Sequence, residues 1–291
     1  MLSVNQNLGQ QISNNGFVLI QNVLSNQEIK QLRKVVKDHF KNKGVLTSYG
    51  LTQPNAAVAV PQISQLFYHP RILELMRQLL GQDEIMFTSH CDVHSRTLSG
   101  WHKDDGMTVM EGGYFGKPTY DQTDCRVYKV AIYLQNHDNN RGGLTVRKGS
   151  HRFPELNKGE EVYLKTKPGD IVVFDVRLTH TGQQSITPFP FLKEPNRVLQ
   201  KAFSKTLKVS DKQSKQYLKN FYDTLLTDRL SIFFTYGLCD EYTKSFAVAN
   251  MKRQLCQDEN TKIFLSPELR QEFLNNKVVL AEDYFTELKQ N

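Results

Sequence analysis

A histidine and an aspartate one residue apart, His102 and Asp104 in the run WHKDDG (101–106), are the first residues whose types and spacing suggest chemistry. In an extended backbone side chains alternate between faces, so these two point one way while Lys103 and Asp105 point the other. One imidazole nitrogen and one carboxylate oxygen then stand side by side, as two of the three ligands of a facial triad. Such a triad leaves three adjacent positions of an octahedral ferrous ion open, where oxygen and a chelating cosubstrate can bind together. Alone, a His-x-Asp is common, and a surface ion pair is its ordinary explanation. Two later features change the balance. His180 closes the run DIVVFDVRLTH (170–180), from which a buried strand could return an imidazole to the pair. Arg197 follows at the head of another apolar run, and a buried guanidinium fork matches the distal carboxylate of a keto acid bidentately. His151, in a Gly-Ser-His turn, is the rival third ligand, a hydrogen-bonded loop residue being its plainer role.

These side chains need strands to carry them. The stretches 85–94 (IMFTSHCDVH), 127–134 (VYKVAIYL), 142–146 (GGLTV), 170–174 (DIVVF) and 198–203 (VLQKAF) read as short strands between Gly, Pro and Asn turns. That texture predicts an antiparallel sandwich rather than a parallel βαβ sheet. Phe17–Ile20 is a further short strand, and Ser25-x-x-Glu28 is a capping box opening a helix with Ile29, Leu32, Val35, Val36 and Phe40 on one face. Helices fit 71–80, stopped by Gly81, and later 213–226 and 241–255, with LSIFFTY (230–236) as an additional strand. Between them 105–124 is irregular and glycine-rich, a length of loop expected of a lid or binding loop. One domain over 1–291 is expected: helical support at 1–84, the β core at 85–204 and a helical and strand extension at 205–291.

Period-two alternation nominates further candidates. Thr88, His90, Asp92 and His94 share one strand face, which either lines a pocket or lies exposed as a polar ladder. Lys129 shares a face with Ala131 and Tyr133, and a buried lysine needs an anionic partner, so it is a candidate contact for cosubstrate or substrate. Trp101 and Tyr114 could stack on a substrate, although a core role serves a tryptophan equally well.

In order along the chain, GFVLIQNVLSNQEI (16–29), WHKDDG (101–106), VAIYLQNHDNNRGGLTVRKGSH (130–151), PGDIVVFDVRLTHTG (168–182) and NRVLQKAF (196–203) together resemble the phytanoyl-CoA dioxygenases. The resemblance covers roughly 16–203. It implies a mainly β protein with helical additions (α+β) built on a double-stranded β-helix, the cupin-like jelly roll. It also implies Fe(II), 2-oxoglutarate and O2, with His102, Asp104 and His180 as ligands and Arg197 as the grip on 2-oxoglutarate. The expected reaction hydroxylates an unactivated C–H bond of a small polar metabolite or natural product, releasing succinate and CO2. The retained carboxylate at Asp104 argues against halogenation. The chain departs from the family in a long 180–197 interval and in Gly182, where a small polar residue is expected, so Thr181, Gln183 or Ser185 could supply the second cosubstrate contact.

Composition bounds the rest. A net charge of +7 from 37 basic and 30 acidic residues is spread thinly, without the concentrated, aromatic-interleaved stripe that nucleic-acid binding requires. Four cysteines without a CxxC spacing argue against a zinc cage or a disulfide framework. The polar start MLSVNQNLGQQISNNG does not resemble a secretory signal, and no apolar run approaches the roughly 20 residues of a membrane span. A small-molecule substrate, no nucleic acid, no membrane and a cytoplasmic location are the expectations. A non-catalytic protein of the same fold, a nucleic-acid demethylase and a cupin-like isomerase are the alternatives.

Overall fold

The computed structural model describes residues 8–47, 50–138, 142–182, 197–207, 210–223, 229–257 and 263–285. Its N-terminal part follows local rules. Helix α1 (Leu8–Asn15) leads into strand β1 (Phe17–Ile20), and α2 (Asn26–Asn42) opens on the capping box. Glu28 N–H donates to Ser25 Oγ at 3.3 Å and Ser25 N–H donates to the Glu28 carboxylate at 2.7 Å. Strands β2 (Val45–Thr47) and β3 (Gly50–Gln53) and the short α3 (Ala56–Ala59) follow. Helix α4 (Pro70–Leu80) starts on a proline and stops at Gly81, whose φ of +72° an L side chain rarely adopts.

The β elements are β4 (Ile85–Ser95), β5 (Val127–Tyr133), β6 (Leu144–Lys148), β7 (Glu160–Leu164), β8 (Ile171–Asp175) and β9 (His180–Thr181). Two helices, α5 (Arg197–Leu207) and α6 (Asp211–Asp223), then precede β10 (Leu230–Gly237), α7 (Glu241–Gln257), α8 (Pro267–Asn275) and β11 (Val278–Leu280). One sheet runs β1-β8-β5-β10-β4-β3-β2 with β11 beside β4, and a smaller one runs β7-β6-β9. The two face each other as a jelly roll.

A single alternation sorts the large sheet. Val130 and Ile132 of β5, Cys91 and Val93 of β4, and Ile232 and Phe234 of β10 face the helices, packing with Val36, Ile72 and Leu73. Their neighbours turn the other way. Ala131, Tyr133, Val172 and Phe174 meet Leu144, Val146 and Leu164 of the small sheet. Polar groups of β4, β5 and β10 share that inner side wherever the sandwich gapes.

Two expectations are corrected here. The 198–203 strand is helix α5: Val198, Leu199, Ala202 and Phe203 recur at three-to-four spacing, a helical stripe rather than an alternation. The β core also does not end near 204. Strand β10 lies between β5 and β4, in the middle of the large sheet, so the segment taken as an addition is central to it.

Candidate metal centre and its cavity

Backbone pairing brings the three candidate ligands together. His102 and His180 form an isolated antiparallel bridge, each N–H donating to the other's carbonyl at 3.0 and 2.9 Å. Directly opposed residues of an antiparallel pair project to the same face. The Asp104 N–H donates to Val176 O at 2.8 Å, which carries the extended register on to the carboxylate. The outcome is a cluster in which one ligand atom from each of His102, Asp104 and His180 lies within 4.8 Å of the others. His102 Nε2 is 3.8 Å from Asp104 Oδ1, and His180 Nε2 is 3.3 Å from Asp104 Oδ2.

The donor set fits a divalent metal on two counts. Both imidazoles turn Nδ1 to a backbone carbonyl, Gly100 O at 2.7 Å and Leu178 O at 2.9 Å, which leaves each Nε2 lone pair for the centre. Burial, helped by the neighbouring His102, pushes His180 down to about 3, so its imidazole stays neutral as a ligand must. Burial opposes ionisation of Asp104, but the Lys129 ammonium outweighs it and holds the carboxyl well below the usual range. Lys129 Nζ donates to Asp104 Oδ2 at 2.7 Å. The rival is elsewhere: His151 Nε2 donates to Ser13 O at 3.0 Å, a structural bond under α1.

The cluster opens into a cavity of about 310 Å³. Its walls include the inner faces of β4, β5 and β10, helix α7 and the loop after Asp105. The polar face of β4 is therefore a pocket wall and not an exposed ladder, since His90, Asp92 and His94 line it with His90 and Asp92 buried. Tyr114 lines it too, held edge-on to Phe246 of α7 at 5.7 Å between centroids. Gly106 makes that possible: its φ is +78°, and a Cβ there would meet the Tyr114 ring at 2.6 Å. The 105–124 loop covers the cavity with Gly106, Thr108, Val109 and Tyr114. Its far end is fixed by buried Arg177, which donates to the carbonyls of Thr119, Gln122 and Cys125.

Two candidates lie off the cavity. Thr181 donates its hydroxyl to Ser99 O at 2.7 Å, and Trp101 lies under the Arg147 guanidinium at 4.4 Å. Gln183 and Ser185 fall outside the described residues, as does the side chain of Arg197.

Of the two arginines that line the cavity, Arg229 and Arg253, the more deeply buried is Arg229, the residue before β10, which the sequence reading missed. It is 4% exposed, and its hydrogen bonds go to neutral oxygens: Nε to Gly142 O at 2.5 Å, and Nη1 to the carbonyl and hydroxyl oxygens of Thr97. No acidic side chain among the described residues pairs with it. Burial pulls its pKa below the ordinary guanidinium value, with Tyr133 and Tyr163 opposing. Its Cζ stands 5.4 Å from the Tyr133 ring centroid, and Tyr133 Oη is buried with no hydrogen-bond partner among the described residues. Gly182 explains itself beside this group, because a Cβ there would sit 2.8 Å from Arg229 Nη2.

A jelly roll whose mouth gathers two imidazoles and a carboxylate, open on one side to a cavity, is the arrangement that non-haem iron oxygenases use. Residues 12–190 match the phytanoyl-CoA dioxygenase (PhyH) family, and the chain belongs to that family. It is an iron- and 2-oxoglutarate-dependent dioxygenase. Among curated proteins it is similar to the ectoine dioxygenase of Bordetella bronchiseptica, 21% identical across 62% of this chain and 70% of that one. Among solved structures it is similar to SnoN, a non-heme alpha ketoglutarate dependent epimerase from nogalamycin biosynthesis, with a TM-score of 0.55, 15% identity and coverage of 81% and 83%. EctD from S. alaskensis with 2-oxoglutarate and 5-hydroxyectoine gives a TM-score of 0.55, 17% identity and coverage of 81% and 76%.

Proposed function

We propose that this enzyme hydroxylates an unactivated C–H bond of a small polar metabolite or natural product, with His102, Asp104 and His180 as its iron ligands and Arg229 as its 2-oxoglutarate anchor. Ferrous iron with 2-oxoglutarate supplies oxygen activation coupled to decarboxylation of the keto acid to succinate and CO2. The chain's residues supply binding, orientation and a dry site. Lys129 fixes the Asp104 carboxylate, the two Nδ1 contacts aim the imidazoles, and the 105–124 loop keeps bulk water from the reacting carbon.

One observation carries the cosubstrate reading. Among the described residues Arg229 is a buried cation with only neutral partners, a costly arrangement unless an anion arrives. The distal carboxylate of 2-oxoglutarate meets that need, and Tyr133 Oη is a spare donor beside it. This reading moves to Arg229 the role that the sequence resemblance gave to Arg197. A small substrate is supported by the cavity's 310 Å³, which is near the lower end of the roughly 300–1,000 Å³ of small-molecule sites and must also hold the cosubstrate. The relatives named for ectoine and nogalamycin chemistry point the same way. We read residues 1–291 as one unit, supported by β10 and α7 completing the core and cavity. A reducing, cytoplasmic location is supported by four unpaired cysteines. No helix among the described residues is long and apolar enough to cross a membrane.

Anaerobic titration with Fe(II) and 2-oxoglutarate should produce a visible metal-to-ligand charge-transfer band, and admission of air should give iron-dependent succinate. Absence of both would leave a non-catalytic protein on an oxygenase fold. Gly182→Ala is expected to raise the half-saturating 2-oxoglutarate concentration about tenfold, a loss of about 1.4 kcal/mol. Its methyl displaces an arginine fork already pinned at Gly142 and Thr97. Iron affinity, measured in the same titration, should not move.

A further inference from the structure

Helix α7, beyond the matched 12–190 region, forms the cavity wall against β4 and brings Asn250 and Arg253 into the lining. The carboxylate opposite them, Asp92, is already engaged on both oxygens. Gln254 Nε2 donates to its Oδ1 at 2.7 Å, His90 Nε2 lies 3.2 Å from Oδ2, and Arg253 Nη2 lies 3.5 Å from the same oxygen. An incoming ammonium group would have to share Asp92 with these three groups, one of them the Arg253 cation. The arginine is different. Arg253 uses Nη2 alone, towards Asp92 and towards Asn250 Oδ1 at 3.1 Å, and its remaining edge has no partner among the described residues.

Charge counting agrees. The charged heads in the cavity are Lys129, Arg229 and Arg253 against Asp92 and Asp104. Lys103 also borders it, but its Nζ turns away to the carbonyls of Ser150 and Arg177. His90 and His94 are neutral: burial lowers His90 and pushes His94 down to about 4. Ferrous iron and the 2-oxoglutarate dianion cancel, so the loaded site keeps one positive charge in a poorly solvated space, and that is costly without a counter-ion.

Resting on the dioxygenase reading above, we propose that the substrate is a small monocarboxylate whose carboxylate docks on the open edge of the Arg253 guanidinium, beside Asn250. A phosphomonoester dianion would overshoot the charge. A cationic head would meet the Arg253 cation beside an Asp92 already engaged on both oxygens. The body of the molecule then lies along Phe233 and Tyr114, between α7 and the metal cluster, which puts a carbon away from the carboxylate next to the reacting centre.

The test uses the full chain loaded anaerobically with Fe(II) and 2-oxoglutarate, its charge-transfer band first recorded so that failure of the dioxygenase reading shows separately. The probes are common linear, aromatic and cyclic hydroxy acids and N-acetyl amino acids, each beside its primary amide, and a set of phosphomonoesters. Melting temperature is read before air is admitted and succinate release after. At least one acid is expected to raise both, with succinate release up at least tenfold and its amide at least thirtyfold weaker. Arg253→Gln should raise the half-saturating concentration of that acid at least thirtyfold while the charge-transfer band persists, and Arg253→Lys should recover part of the loss. A band present but with stimulation only by amides or phosphomonoesters, with stimulation by none of the acids, or with Arg253→Gln saturating like the parent, overturns the proposal.

Discussion

Arg229→Gln is expected to raise the half-saturating concentration of 2-oxoglutarate by about 10²–10³-fold, with Arg197→Gln close to the parent. The expectation follows from the surroundings of the guanidinium. It is buried, it donates to the oxygens of Thr97 and Gly142, and those bonds fix the fork without neutralising it. Removing one partner of a buried, hydrogen-bonded charge pair costs about 2–5 kcal/mol, and each 1.4 kcal/mol is a factor of ten. Glutamine keeps most of the volume and can still donate to one of the two carbonyls, so the fold should survive. The readout is the 2-oxoglutarate dependence of the charge-transfer band, measured at saturating iron. Iron affinity without cosubstrate should be unchanged, because Arg229 makes no contact with the ligand cluster among the interactions described above. A large effect at Arg197 and none at Arg229 would return the anchor to the position that the resemblance suggested.

The contrast between those two arginines shows what was legible. Strand alternation is a local signal, and it placed His102 with Asp104, Lys129 with Tyr133, and His90 with Asp92 and His94 on the correct faces. The capping box at Ser25 and Glu28 was equally local, and it formed as written. Which strand closes the sheet is not a local property. Downstream of His180 an arginine followed by an apolar run occurs at 197 and again at 229, and the first copy follows the histidine more closely. Only the helical spacing of Val198, Leu199, Ala202 and Phe203, against the uninterrupted LSIFFTY after Arg229, distinguishes them. The chain inserts α5 and α6 before the strand that lies between β5 and β4, so proximity in sequence misled where burial would not have. Helix α7 was legible as a helix, but its role as a cavity wall was hidden, because its amphipathic pattern is weak and two of its polar residues, Arg253 and Gln254, face a buried aspartate instead of solvent.

His180 and His151 offer the sharpest separation between the proposed metal ligand and a structural histidine in this chain. Both are buried, His180 in β9 and His151 in the turn after β6, and the sequence named His151 as the rival to the better-placed His180. His180→Ala is expected to weaken iron binding by more than the roughly 10–100-fold typical of outer-shell changes, and to abolish the charge-transfer band and succinate release. Its effect on the metal-free fold should be small. The lost side chain donates only to Leu178 O two residues away, and its removal relieves a desolvated imidazole packed against Phe174 at 4.8 Å. His151→Ala should do the reverse. Its Nε2–H tethers Ser13 O from a site distant in sequence, so its loss leaves a carbonyl of α1 without that donor and costs about 1–3 kcal/mol. The urea midpoint should fall, while iron affinity and turnover per folded molecule stay at the parental level. Both variants report on both quantities, so an exchange of the two phenotypes would move the third ligand to His151 and dismantle the bridge geometry on which the site depends.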